Sequence, residues 1–219
     1  IYLGDIDTRK ITDMSELFFI SNRKDLSGIE SWDTSNVKNM RAMFFGCSDF
    51  NQNISSWNVS NVVNMRQMFM WCNSFNQPLD AWDVSNVENM QEMFSGCESF
   101  NQPLDAWDVS NVYDMNCMFF ECSNFNQNIS NWNVSNVRYM NFMFCECRSF
   151  NQPLDTWDVS NAHNMSFMLA DCYNFEQSLY EWKIPIETIT DNMLLNCDKI
   201  KDFPADWIES QEELLSSGL

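Results

Sequence analysis

Eight tryptophans fall at a fixed interval of 25 residues: Trp32, Trp57, Trp82, Trp107, Trp132, Trp157, Trp182 and Trp207. No residue is inserted or lost across that run. A period of this size marks one supersecondary unit per interval. Units so small bury their apolar face only against their neighbours, so the chain must stack on itself. It reads as a single elongated domain over 1–219. A degenerate cap repeat covers 1–31, six regular repeats cover 32–181, and a degenerate repeat with a C-terminal cap covers 182–219.

The stretch from Leu104 to Phe125 shows the unit most clearly. Its apolar positions are Leu104, Trp107, Val109, Val112, Met115, Met118, Phe119, Cys122 and Phe125. Trp107 and Val109 flank Asp108, the alternation of a half-buried strand. From Val112 the apolar spacing becomes three, three, one and three, which predicts α- or 3₁₀-helix, with Ser110 or Asn111 as its cap. The predicted fold class is therefore α/β, a right-handed solenoid with one short parallel β-strand and one short α/3₁₀ helix per rung. At roughly 4.8 Å per rung, eight rungs would make a body on the order of 40 Å long.

The recurring Met and Phe positions read as core, with unbranched Met filling gaps between layers. Two flavours of unit occur, QPLDAWD at Gln77–Asp83 and QNISSWN at Gln52–Asn58. Duplication of whole units and a local packing requirement both explain them. Toward the ends the pattern decays. Met14, Leu17 and Phe18 keep the core positions, while Asn22 and Asp25 stand where Cys and Phe are expected. Pro204–Ser217 reads as a closing helix with Leu214 and Leu215 over the core.

With 12 basic and 31 acidic residues the net charge is −19. Nucleic acid and anionic lipid are poor partners for such a surface. No apolar run approaches the length of a membrane-spanning helix, and no signal peptide is visible. The sequence opens on Ile1, which suggests a fragment or a processed form.

The string W-[DN]-V-S-N-V-x-x-M-x-x-M-F-x-x-C-x-x-F-N-Q appears nearly whole from Trp57, Trp82, Trp107 and Trp132. It begins from Trp32 with Thr34 for Val, and departs at Trp157 with Ala162 for Val and Leu169 for Phe. This string resembles the BspA-like, mycoplasma-lipoprotein-type surface repeat over roughly residues 30–177. The resemblance implies a leucine-rich-repeat-like solenoid. It also implies a cell-surface or secreted protein of bacteria, protists or large DNA viruses, used in adhesion or protein binding and without enzymatic activity.

Seven of the nine cysteines follow the period and read as small buried hydrophobes, bridges between rungs being the alternative. Cys117 and Cys145 lie off it and are the expected reactive thiols. A nucleophilic triad would have to use His163, the single histidine, which occupies a variable, exposed slot. No cofactor is expected. Asp80, Asp83, Asp105 and Asp108 put four carboxylates on two adjacent rungs, so a calcium site is one alternative to a solvated column.

Comparison of the rungs with one another separates a uniform strand side from a variable helix side. One helix position runs Phe45, Met70, Ser95, Phe120, Cys145, Ala170, and another Ala42, Gln67, Glu92, Cys117, Phe142, Phe167. A surface that differs from rung to rung can specify one partner. Met70, Trp71, Phe120, Phe142 and Phe167 are the expected contact residues. The expected function is protein interaction or adhesion at a cell or virion surface, with no nucleic acid and no membrane insertion. A self-assembling coat component and a calcium-binding module are the alternatives.

Overall fold

A computed structural model describes residues 2–204. The closing helix expected after Pro204, with Leu214, Leu215 and Trp207, lies outside them. One continuous apolar core runs from Leu3 to Cys197. The seven described tryptophans of the period sit in it at 3–6% exposure.

Neither the predicted strand nor the predicted helix forms. Among the described residues the only helical elements are the short 3₁₀ turns Leu3–Asp5 and Ile29–Ser31. The only β-pairings among them are isolated parallel bridges, Asp13 to Asn39 and then one per rung to Ile189. The α/β assignment, and with it the leucine-rich-repeat-like solenoid of strand plus helix, is thus overturned. Each rung is instead a run of turns.

The rung beginning at Met90 shows how. Its amide groups alternate between two destinations. Met90, Glu92, Phe94 and Gly96 donate to Asp114, Asn116, Met118 and Phe120 of the next rung at 2.7–3.0 Å. Met93, Ser95 and Cys97 donate to the carbonyls three residues back, closing turns at 2.9–3.3 Å. From Met90 to Cys97 every amide group thereby finds a partner without helix or strand, that of Gln91 on Asn89 Oδ1. The geometry places two residues per rung in the left-handed region, such as Cys117 and Glu121 at φ 53° and 58°. Fourteen non-glycine residues among those described take such angles. For an L-residue each costs about 1–2 kcal/mol, offset by the ladder that holds it.

The helical reading failed for a definite reason. Met115, Met118, Phe119 and Cys122 do all point inward, as a helix of that spacing would require. A run of turns produces the same spacing. The destination of the amide hydrogens separates the two, and apolar periodicity does not report it.

Across the corner the rungs are tied differently. No backbone–backbone hydrogen bond joins Trp107–Val109 to a neighbouring rung. Side chains make the connection. Trp107 Nε1 donates to the Leu79 carbonyl at 2.9 Å, and Asn111 Nδ2 to the Ser85 carbonyl at 2.7 Å. Cys122 Sγ lies 2.8 Å from the Phe94 carbonyl. Asn101 Oδ1 accepts both the Asn126 amide and Gln127 Nε2 at 2.9 Å. Ser110, expected as a helix cap, instead has its amide bonded to Asp108 Oδ1 at 3.0 Å.

Inside, the aromatic rings form columns. Phe94 stacks on Phe119 at 5.7 Å and Phe100 on Phe125 at 6.1 Å, and Phe94 meets Phe100 at 4.3 Å within its own rung. Offset stacking of this kind adds about 0.5–1.5 kcal/mol per pair beyond area burial. The first rung is one residue longer than the rest, since Asp13 pairs with Asn39 and Asn39 with Asn64. Ser21, whose amide bonds to Phe18 as that of Cys47 does to Phe44, therefore holds the thiol position rather than Asn22.

Candidate functional site

The backbone ladder leaves one face of the stack built from residues that differ between rungs. Met70, Trp71, Phe120, Phe142 and Phe167 all lie on it, half-buried. The structure brings three of them together. Phe142 and Phe167 stack at 4.7 Å with planes 5° apart, and Phe120 meets Phe142 edge-on at 6.4 Å. Phe142 and Phe167 occupy left-handed backbone positions at φ 57° and 56°. The ladder fixes their direction.

Met70 and Trp71 belong to a separate patch nearer the N-terminal end. Trp71 is also left-handed, at φ 62°. Its indole lies over Gly96, where a Cβ would overlap the ring. Glycine at that position is what makes room for it. The sequence comparison missed Phe19 in this patch, which stacks on Phe45 at 4.7 Å and is 45% exposed. An interval of 26 residues in the first rung would have placed it.

Carboxylates share the rungs of Phe120, Phe142 and Phe167. Glu121, Glu146 and Asp171 occupy the second left-handed column on successive rungs. Burial, then the like charges of Glu146 and Glu98, push the Glu121 carboxyl above its ordinary range. Hydrogen bonds from Asn196 and Tyr173 hold Asp171 below its own. Arg148 pairs with Glu146 at 3.1 Å, largely in solvent, where such a bridge contributes about 0–1 kcal/mol.

The remaining candidates are placed as follows. All nine cysteines are unbridged. Burial pushes the thiols of Cys117 and Cys145 up to about 12. Cys145 is only 6% exposed. The expectation of reactive thiols fails, because the thiolate is the nucleophile and a raised pKa suppresses it. His163 is exposed, with Nδ1 2.9 Å from the Asn161 carbonyl.

The Asp column has a local explanation. Asp83 Oδ1 accepts the Ser85 amide at 3.1 Å, and Asp108 Oδ1 the Ser110 amide at 3.0 Å. Asn58 and Asn133 do the same for Ser60 and Ser135. Asp and Asn exchange here because each offers one acceptor oxygen to its own turn. Asp80 and Asp105 are exposed. No cluster of three or more His, Cys, Asp or Glu among the described residues is placed to hold a metal ion. No helix among them is long and apolar enough to cross a membrane.

The sequence profile of the family described as "Mycoplasma protein of unknown function, DUF285" matches the chain twice, over residues 2–107 and 94–207. No curated protein matches it.

Proposed function

We propose, on the premise that this chain belongs to the DUF285 family of mycoplasma repeat proteins, that it is a non-enzymatic interaction protein of a cell surface. Its ladder face makes the contact. The finer likeness, to BspA-like adhesion repeats, rests on the W-[DN]-V-S-N-V string and is part of this reading. One observation carries the proposal. The rungs repeat the same buried residues, while their outward ladder positions change from aromatic to acidic to small. A face that only had to be solvated would not set three phenyl rings together at Phe120, Phe142 and Phe167.

The test is photocrosslinking in cells that express the protein. A benzophenone amino acid is placed at Met70, Phe120 or Phe167, with Asp83 and Asp108 on the corner as controls. A discrete crosslinked partner from the ladder sites alone is the expected result. Equal crosslinking from the corner, or none from the ladder, would refute the assignment. A crosslink to a second copy would identify a self-assembling coat component instead.

A further inference from the structure

The backbone ladder has a direction, so its two ends differ. At the first interface Met14, Glu16, Phe18 and Ile20 donate to Asn39, Arg41, Met43 and Phe45 at 2.7–2.9 Å. At the last, Met165, Phe167, Leu169 and Asp171 donate to Ile189, Asp191, Met193 and Leu195 at 2.7–2.9 Å. The N-terminal edge is therefore left with acceptors and the C-terminal edge with donors. No described residue donates to the carbonyls of Asp13, Ser15, Leu17 and Phe19, and the amides of Thr190, Asn192, Leu194 and Asn196 donate to none. We propose that copies of this chain stack head to tail, the C-terminal amides of one donating to the N-terminal carbonyls of the next.

Four observations make a second copy the occupant. First, both end rungs keep the left-handed turns of the inner ones, Glu16 and Ile20 at φ 57° and 50°, Asn192 and Asn196 at 54° and 59°. Rungs built on these turns already mate with one another throughout the chain, so each edge has half of an interface the molecule makes with itself. Second, the edges expose apolar side chains where inner rungs bury them. Leu17 is 49% exposed at the position where Met43 is fully buried. Phe19 and Leu195, 45% and 42% exposed, belong to one column. In the ladder register Leu195 of one copy meets Phe19 of the next, as Phe19 meets Phe45 at 4.7 Å within the chain. Water already satisfies open amides and carbonyls, so the bonds give direction and register, while burial of these side chains supplies the gain. Third, the repeat pattern is not continued beyond the C-terminal edge. Glu209 and Glu212 stand where inner rungs carry Val or Ala, and Gly218 where they carry Met. Fourth, Arg9, Lys10, Arg23, Lys24, Lys38 and Arg41 put half of the 12 basic residues in the first two rungs. The N-terminal end thus carries little of the charge that holds acidic chains apart. A donor edge on an acceptor edge is a heterologous contact, which adds copies in a line instead of closing a dimer. Such stacking does not require the variable side-chain face to be a contact surface, and it lengthens that face.

Sedimentation velocity of the full chain over a concentration series is the test. The mean mass rises with concentration and does not level off at a dimer. Added salt strengthens the association, because it screens the net charge of −19. Leu17→Asp blocks the acceptor edge and Leu195→Asp the donor edge. Each alone weakens association by about tenfold or more, and neither moves the melting temperature, since both side chains are exposed. Mixed together, the two variants form pairs and nothing longer, because each keeps the edge the other lacks. Phe142→Asp, on the side-chain face between the ends, leaves association unchanged. A monomer at every concentration would overturn the proposal, and so would association that both edge variants leave intact. Association lost in Phe142→Asp alone would also overturn it and put the contact between copies on the side-chain face. Neither edge includes Met70, Phe120 or Phe167, so crosslinks from those sites to another protein stand or fall separately.

Discussion

Each rung meets the next in two unlike regions, and they divide the work between backbone and side chain. From Met90 to Gly96 the main chain does the joining, through four amide bonds to the following rung. At Trp107–Val109 the side chains do it, through the indole of Trp107 and the carboxamide of Asn111. The difference accounts for where the chain varies. A backbone bond is indifferent to its side chain, so the ladder positions carry Arg66, Gln91, Asn116 or Ser166 on the same main-chain bonds. A bond donated by an indole or an amide needs that residue. The corner is accordingly uniform, and variation is left to the ladder.

Breaking a corner tie has the largest expected effect. Trp107→Phe removes the donor to the buried Leu79 carbonyl and leaves a void beside Trp132. We expect a loss of about 2–4 kcal/mol in chemical denaturation. The ladder substitution Asn116→Ala, in the same unit, forfeits only the side-chain bonds from Asn141 and Cys117 and costs about 0.5–1 kcal/mol. Equal losses would erase the distinction between the regions.

Gly96→Ala is next, because it violates the ladder's indifference at one place. The added Cβ meets the Trp71 indole and sits at a left-handed φ of 73°. A loss of about 1–3 kcal/mol is expected. Adding Trp71→Ala should restore most of it, since only the backbone strain then remains. A double variant no more stable than the single would show that the indole is not what demands glycine.

The smallest effect sharpens the comparison through pH. Asp114 occupies a ladder position held by Asn39, Asn64, Asn89 and Asn164 in other rungs. Burial pushes its carboxyl above the ordinary aspartate value of 3.8. A group whose folded pKa is raised makes the fold less stable as pH rises through that range. Asp114→Asn should therefore gain about 0.5–1 kcal/mol at neutral pH, the size of a consensus substitution. The gain should vanish as the pH falls and Asp114 takes up its proton. At the corner the sign reverses. Hydrogen bonds from Ser110 and Ser160 hold Asp108 and Asp158 below 3.8, so what they contribute persists above that value and is lost below it. Melting temperatures measured across this range, with and without the Asp114 change, check both signs.

Much of this was readable from residue spacing. Trp107, Val109, Met115, Phe119 and Cys122 were expected inside and are. The variable face was found by comparing rungs, and it holds Phe142 and Phe167 in contact. What escaped was local. A helix and a run of turns both bring Met115, Met118 and Phe119 inward, and nothing in their spacing says that Phe119 donates to Met143 rather than within its own rung. The role of Asp83 and Asp108 as acceptors for their own turns was hidden by reading a column of charge where the chain uses only an oxygen atom. Gly96, one period after Trp71, is a visible signal that the indole needs space, but only once that column is known to run down one face.

The indole column has an optical consequence. Trp32 and Trp57, Trp107 and Trp132, and Trp132 and Trp157 lie 6.3–6.5 Å apart with planes within 8° of parallel. Electronic excitation passes readily between like chromophores at that separation. Light absorbed by one tryptophan therefore migrates along the protein before it is emitted, and a quencher placed beside any one of them darkens several.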